Sequence, residues 1–445
     1  MDNRTSRRWA GLLALLLAAC GGDGGDDRRS EGPGIAGCTV AEQKAWLGSY
    51  MDDWYFWYRV SPQPDATGFA AVSDYFRALL YAGASPAFPA DRWSNVQSTE
   101  SFTRFFGDGA TLGYGVAVAG LETDGDSSRP LWVRQVDPGS PAAAAGVVRG
   151  DQIISLNGRP ATEAIAARDF AALGANAAGD RLTLVLRNGG ADRTLTLTAA
   201  VYNLVPVLPQ AVVTSAGGRK LGVLQVNQMI SQATAPLDAA FAQFRAQGVQ
   251  DLVLDLRYNG GGLVSLGGTL ASYIGGSRSA GQRYATLIYN DRHQASNTPF
   301  DFSLPGNALS LPRVFVLQGP RTCSASEQLI NGLAGAGVEV IAIGGTTCGK
   351  PVGFNPVAAC GSTYSVVNFE SQNRLGTGRY FDGLAATCAV AEDFGVAQNG
   401  SSDPLLAGAL QYADSGQCAR SAPLPRAARA TRVREPGGFE GMLAR

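Results

Sequence analysis

Histidine is nearly missing: His293 is the single one in 445 residues. Chemistry that needs an imidazole base therefore rests on one residue, in a polar stretch (YNDRHQASN) with no catalytic context. Lysine is scarce as well. Of 36 basic residues only Lys44, Lys220 and Lys350 are lysines, so each stands out against arginine. Charged residues are 16% and the formal net charge is −1, which leaves no basic field to attract nucleic acid. No CxxC pair occurs among the seven cysteines, so with histidine scarce no metal site is expected, and no cofactor either.

What is present suits a sizeable folded chain. Hydrophobic residues are 45%, enough for a real core, and 57 glycines imply many turns. The length suggests roughly two to four domains. Arg4, Arg7 and Arg8 precede an apolar run at 10–19 that is too short to span a bilayer. The run ends in Leu17-Ala18-Ala19-Cys20-Gly21. Charge, apolar run, small residues and cysteine in this order resemble a bacterial lipoprotein signal. That implies cleavage before Cys20, lipid on its sulfur, and an exported, periplasm-facing protein held to an envelope membrane. Gly21 in place of a retaining aspartate favours the outer membrane. Residues 21–37 read as a flexible tether. Setting Cys20 aside leaves Cys38, Cys323, Cys348, Cys360, Cys388 and Cys418, an even set that suggests disulfides of open connectivity. A Cys38–Cys418 bridge would join the ends of the folded part.

Residues 38–100 read as a small helical domain. Its cluster Trp54-Tyr55-Phe56-Trp57-Tyr58 is expected to fill a core rather than stack on a ligand. Residues 101–200 change character. LGYGVAVAG (112–120) is a glycine loop entering a strand, and RLTLVLRNGGADRTLTLTAA (181–200) is a hairpin with period-two alternation. With the GSPAAAAG turn, Arg149-Gly150-Asp151 and Asn157-Gly158, this stretch resembles a bacterial protease-type PDZ domain, β-barrel-like in fold. The resemblance implies that a peptide C-terminus adds as a strand beside residues 112–116, namely Leu112, Gly113, Tyr114, Gly115 and Val116. The alternative is a spacer that binds nothing.

Residues 201–418 carry apolar strands alternating with helices, which predicts an α/β core with parallel pairing. Strand 313–319, helix 324–337 and strand 338–345 make a βαβ crossover. Ser324 then lies past the C-terminal end of the first strand and Lys350 past the end of the second. The Gly260-Gly261-Gly262 loop lies past the end of strand 250–257. All three converge on the sheet edge where open α/β sheets place their sites. A serine hydroxyl needs a base, and a lysine serves if burial disfavours its ammonium. The helix start offers the amide of Ala325 to an oxyanion, and the glycine loop a second amide from Gly261 or Gly262. Ser324 and Glu327 also fit a plain capping box, and Ser326, one residue further into the helix, is expected to support rather than attack. Residues 419–445, basic and rich in Pro, Gly and Ala, read as an unpacked tail.

Thr322-Cys323-Ser324-Ala325-Ser326-Glu327, Gly349-Lys350 and Asp255-Leu256-Arg257-Tyr258-Asn259-Gly260-Gly261-Gly262, behind a PDZ domain, resemble the carboxyl-terminal processing (tail-specific) peptidases. The resemblance spans residues of about 100–415. It implies a Ser/Lys serine endopeptidase acting on proteins or peptides with accessible C-termini, with Ser324 the nucleophile, Lys350 the base, and Ala325 with Gly261 or Gly262 the oxyanion donors. Three departures stand out. Phe354 replaces the glutamine that orients the lysine in many relatives. The Ser-to-Lys spacing is one residue longer. Cys323 and Cys348 replace a small residue and an aromatic, and a bridge between them would tie the two loops together. A trypsin-like enzyme is disfavoured because it needs a histidine base and no GNSGG-like stretch occurs. A PDZ scaffold with a retired core is the alternative that the missing glutamine supports. Nothing points specifically to a small-ligand binding protein.

Overall fold

The computed structural model describes residues 35, 37–83, 88–419 and 441–444. The lipoprotein signal, Cys20 and most of the tether lie outside the described residues. Among the described residues no helix is long and apolar enough to cross a membrane.

The chain opens with helix Val40–Trp54, capped by Thr39, whose N–H donates to Glu42 at 3.0 Å. Helix Val72–Leu79 packs beside it. The aromatic cluster is core: Tyr55 and Trp57 are buried, and Trp57 lies 5.8 Å from Trp93. This core also takes in Val352, Phe354, Tyr364 and Val367 from the far end of the chain. Lys44 is a structural cation, donating to the carbonyls of Ala66 at 2.6 Å and Phe69 at 2.8 Å.

The PDZ unit follows. Strands Arg181–Arg187 and Arg193–Thr198 form the expected hairpin. Leu182, Leu184 and Leu186 are fully buried while Arg181 and Arg187 are exposed, as alternation requires.

Two six-stranded sheets build most of the rest, beside a small three-stranded sheet of Asn95–Ser98, Ser362–Ser365 and Val357–Ala359. In the first, Lys220–Gln225, Asp251–Asp255, Arg313–Gln318 and Glu339–Gly344 run parallel in that order, with Ala211–Thr214 antiparallel at one edge. The expected crossover is present as Arg313–Gln318, helix Ala325–Gly335 and Glu339–Gly344. Helix Pro404–Ser415 covers one face, over Phe315, Leu317, Ile341 and Ile343. The second sheet was not anticipated. It runs Gly261–Leu263, Gly441–Leu443, Val352–Phe354, Val367–Gln372, Arg283–Tyr289, Thr298–Asp301. Leu329 and Leu333 of helix Ala325–Gly335 share one cluster with Leu254 and Val316 of the first sheet and Tyr284 and Phe369 of the second. The helix that begins after Ser324 is therefore buried between the sheets.

Two expectations need correcting. Cys38 pairs with Cys360 and Cys388 with Cys418, so Cys38 and Cys418 do not join the ends; the third bridge is Cys323–Cys348. The tail is not unpacked throughout. Residues 420–440 lie outside the described residues, but Gly441–Leu443 is a strand whose Met442 and Leu443 are buried. Two adjacent apolar side chains with partners on both sides outweigh the basic composition of the stretch around them.

Candidate active site

Ser324 occupies the turn between strand Arg313–Gln318 and helix Ala325–Gly335. Its backbone has φ 63° and ψ −116°, a region that non-glycine residues rarely adopt. Such a conformation costs about 1–3 kcal/mol and persists only where the surroundings impose it. The side chain is fully buried, and its Oγ has no hydrogen-bond partner among the described residues. The carboxylate half of the expected capping box is made, Ser324 N–H donating to Glu327 Oε2 at 2.9 Å. The hydroxyl half is not.

Glu327 does more than cap. Fully buried, it also accepts from Gly349 N and Lys350 N, both at 2.8 Å, and from Thr347 Oγ1. One carboxyl group thus binds the backbone of the Ser324 turn to that of the Lys350 loop. Burial pushes its pKa up, and the donors pull it back by less. The Cys323–Cys348 bridge and a bond from Cys348 N to Thr322 O at 3.1 Å fasten the same two loops.

Lys350 is buried, with its Nζ 4.1 Å from the centre of the Phe354 ring. A fully buried aromatic face therefore stands where the resemblance puts an amide.

The glycine loop is held by Asn259, whose Nδ2 donates to Val226 O at 2.9 Å and whose Oδ1 accepts from Gly261 N at 2.8 Å. Asn259 O accepts from Cys323 N at 3.1 Å and from Ser326 Oγ at 3.0 Å. Ser326 therefore braces the helix against the loop. Gly262 has φ 135°, and a Cβ there would meet Met229 O at 2.1 Å, so no side chain fits.

A cavity of about 700 Å³ lies between the PDZ unit, the N-terminal segment and the core. Leu112, Gly113, Tyr114, Gly115 and Val116 line it on one side, and Gly260, Gly261 and Lys350 on another. Gly262 lies just behind this wall, next to Gly261. Ser324 and Ala325 are also absent from the wall and fully buried, so a substrate reaches them only after the wall moves. His293 is stacked on Trp54 at 3.6 Å, its Nε2 3.0 Å from Asp53, away from the cavity.

The sequence missed the cross-loop role of Glu327, the brace at Asn259 and the PDZ–core links. Arg149 donates to Tyr258 Oη at 2.6 Å and Glu392 Oε1 at 2.9 Å, and Arg321 grips Glu122 at 2.8 and 3.1 Å. The available signal was the motif itself: Glu327, Asn259 and Tyr258 all lie inside the quoted stretches.

Comparison with known proteins agrees with this architecture. Residues 220–373 match the model of peptidase family S41, residues 132–188 a PDZ domain, and residues 42–95 the S41 N-terminal domain. The chloroplastic C-terminal processing peptidase of Tetradesmus obliquus is 32% identical over 271 residues, 56% of each chain. A carboxyl-terminal-processing protease of a Picosynechococcus strain is 30% identical over 215 residues, 48% of this chain and 49% of its own. The chain spans about half the length of these curated relatives. A crystal structure named for an S41 protease of Bacteroides fragilis superposes with a TM-score of 0.64 at 24% identity, covering 84% of this chain and 97% of that one. The photosystem II D1 C-terminal processing protease gives 0.53 at 22%, covering 85% and 98%. These two likenesses speak to the fold. The three family matches fall in the order N-terminal domain, PDZ domain, core, and in that order the chain is similar to peptidase family S41 with its PDZ domain.

Proposed function

We propose that the chain is a serine endopeptidase in which Ser324 attacks and Lys350 is the general base, while residues 112–116 hold the C-terminal tail of a protein or peptide substrate. The observation that carries this reading is the state of Ser324. A residue that only caps a helix needs neither a strained backbone nor a buried hydroxyl without a partner. Both are found in a turn fastened to the backbone of Lys350 through Glu327.

The chemistry follows. Ser324 Oγ adds to the scissile carbonyl carbon as its proton passes to the Lys350 amine. The carbonyl oxygen becomes an oxyanion held by the Ala325 amide, first of its helix, and by an amide of the glycine loop, that of Gly262 or that of Gly261 once released from Asn259. The intermediate collapses, Lys350 returns the proton to the leaving amine, and an acyl ester remains on Ser324. Lys350 then takes a proton from water as it attacks the ester and returns that proton to Ser324 Oγ as the carboxyl product leaves, which frees the enzyme. The same reading places the protein in a bacterial envelope, anchored through lipid on Cys20 and facing the periplasm, with the outer membrane preferred. Cys20→Ser is expected to abolish incorporation of labelled palmitate by producing cells; undiminished labelling would contradict the anchor.

The test is to incubate the chain with an activated ester of an apolar tail peptide, quench in acid and map the adduct. An acyl group on Ser324, absent from Ser324→Ala and kept in Ser326→Ala, is expected. A second reading, a tail-binding scaffold, draws on the burial of Ser324 and on Phe354. No adduct on Ser324 with tail binding retained would favour it.

A further inference from the structure

The strand Gly441–Leu443 takes no part in the chemistry above, yet it touches three pieces of the site. It pairs in parallel with the glycine strand, placing Gly441, Met442 and Leu443 opposite Gly261, Gly262 and Leu263. On its other edge Leu443 sits opposite Phe354, and Ala444 N–H donates to Phe354 O at 3.2 Å. Phe354 is the residue whose ring faces Lys350 Nζ. Met442 is wholly buried, and its Sδ lies 3.5 Å from Gln328 Nε2, in the first turns of the helix that follows Ser324. The oxyanion loop, the nucleophile helix and the lysine strand therefore meet on one short segment.

Removing that segment leaves a specific defect. Neighbouring strands lie about 4.8 Å apart, so the glycine strand and Val352–Phe354 would face each other across a gap of about 10 Å. Its walls would be unpaired backbone groups and apolar side chains, both costly to leave in a core. The gap can close only by moving Gly261–Leu263 or Val352–Phe354. The first carries the candidate oxyanion glycine, and the second sets the ring against Lys350. No residue of 441–444 lines the 700 Å³ cavity, so the segment stands behind the site and does not plug it.

We propose that Gly441–Leu443 is a positioning strand: it docks into an acceptor slot between Gly261–Leu263 and Val352–Phe354, and catalytic geometry depends on its being docked. The slot takes an extended peptide with a small residue followed by two apolar ones, so the same sequence supplied separately fills it by strand addition. The claim on activity rests on the endopeptidase reading above; the claim on docking does not.

The experiment compares the full chain with a variant ending at residue 435, with and without the synthetic peptide FEGMLAR, residues 439–445. On an unfolded reporter the shortened chain is expected to lose about a hundredfold in kcat with little change in KM, as misplaced catalytic groups do. The peptide should restore activity saturably, and its Met442→Asp version should not. Labelled peptide should bind the shortened chain and not the intact one, a readout that stands even if the intact chain cleaves nothing. In the full chain, Met442→Leu should retain kcat and Met442→Asp lose it, which covers a shortened chain that fails to fold. Absence of peptide binding, or a shortened or Met442→Asp chain that folds and cleaves as fast as the wild type, would overturn the proposal.

Discussion

Ser324 holds an unfavourable backbone because its neighbours over-determine it: Thr322 is tied to Leu256 O, Cys323 to Cys348 and to Asn259 O, and Ser324 N to Glu327. Glu327 is the most connected of these. Glu327→Gln keeps the shape but turns one acceptor oxygen into a donor facing N–H or O–H groups. A loss of about 2–4 kcal/mol in urea denaturation is expected, together with lower activity. The pH dependence has a defined sign. Burial raises the Glu327 carboxyl above its ordinary 4.5, so its contribution favours folding most at or below that value. The contribution declines as pH rises through the higher folded value, and Glu327→Gln should remove this decline. A variant as stable as the wild type at all pH values would contradict the role. At this scale the placing of Ser324 and Lys350 on two adjoining loops was legible because motif and position coincide. Glu327 read only as a cap because its other donors come from residues 347–350, and local spacing carries no trace of that contact.

Among elements, the Cys323–Cys348 bridge closes a loop between the turns that carry Ser324 and Lys350, its cysteines 25 residues apart. Replacing both cysteines by serine is expected to lower stability by about 3 kcal/mol through loop entropy, with a larger loss of activity than Cys388→Ser/Cys418→Ser. Equal activity in the two variants would show that the bridge has no bearing on the site. The first sheet was readable because Asp251–Asp255, Arg313–Gln318 and Glu339–Gly344 are apolar runs separated by helices. The second sheet was not. Three of its strands, Gly261–Leu263, Val352–Phe354 and Gly441–Leu443, are three residues long, too short to show alternation. Their partners are distant in sequence, so pairing comes from tertiary packing rather than local propensity.

For the whole molecule, the central fact is that PDZ unit, N-terminal segment and core enclose one cavity. The PDZ unit is held to the core by Arg149 on Tyr258 and Glu392 and by the bidentate Arg321–Glu122 pair. Burial pushes the Glu122 carboxyl up, but Arg321 pulls it down further, to a net value below the ordinary 4.5. A depressed carboxylate stabilises above its unfolded value and loses that contribution as pH falls through the folded one. Acid below pH 4.5 should therefore loosen the PDZ unit, seen as faster hydrogen exchange at residues 117–123, and Glu122→Gln should show the looser state at neutral pH. Unchanged exchange in both would contradict the docking role. Domain order was legible from the motifs; the links between domains were not, since Arg149 and Arg321 look like ordinary surface arginines until the fold half-buries the first and buries the second.

The most direct test of the account is cleavage of an unfolded reporter with an apolar C-terminal tail by protein lacking residues 1–36, comparing wild type, Ser324→Ala, Lys350→Ala and Ser326→Ala. The account predicts that the Ser324 and Lys350 variants lose cleavage while Ser326→Ala, which keeps the nucleophile and loses only a brace, retains most of it. Cleavage that survives Lys350→Ala, or that depends on Ser326 and not on Ser324, would contradict it.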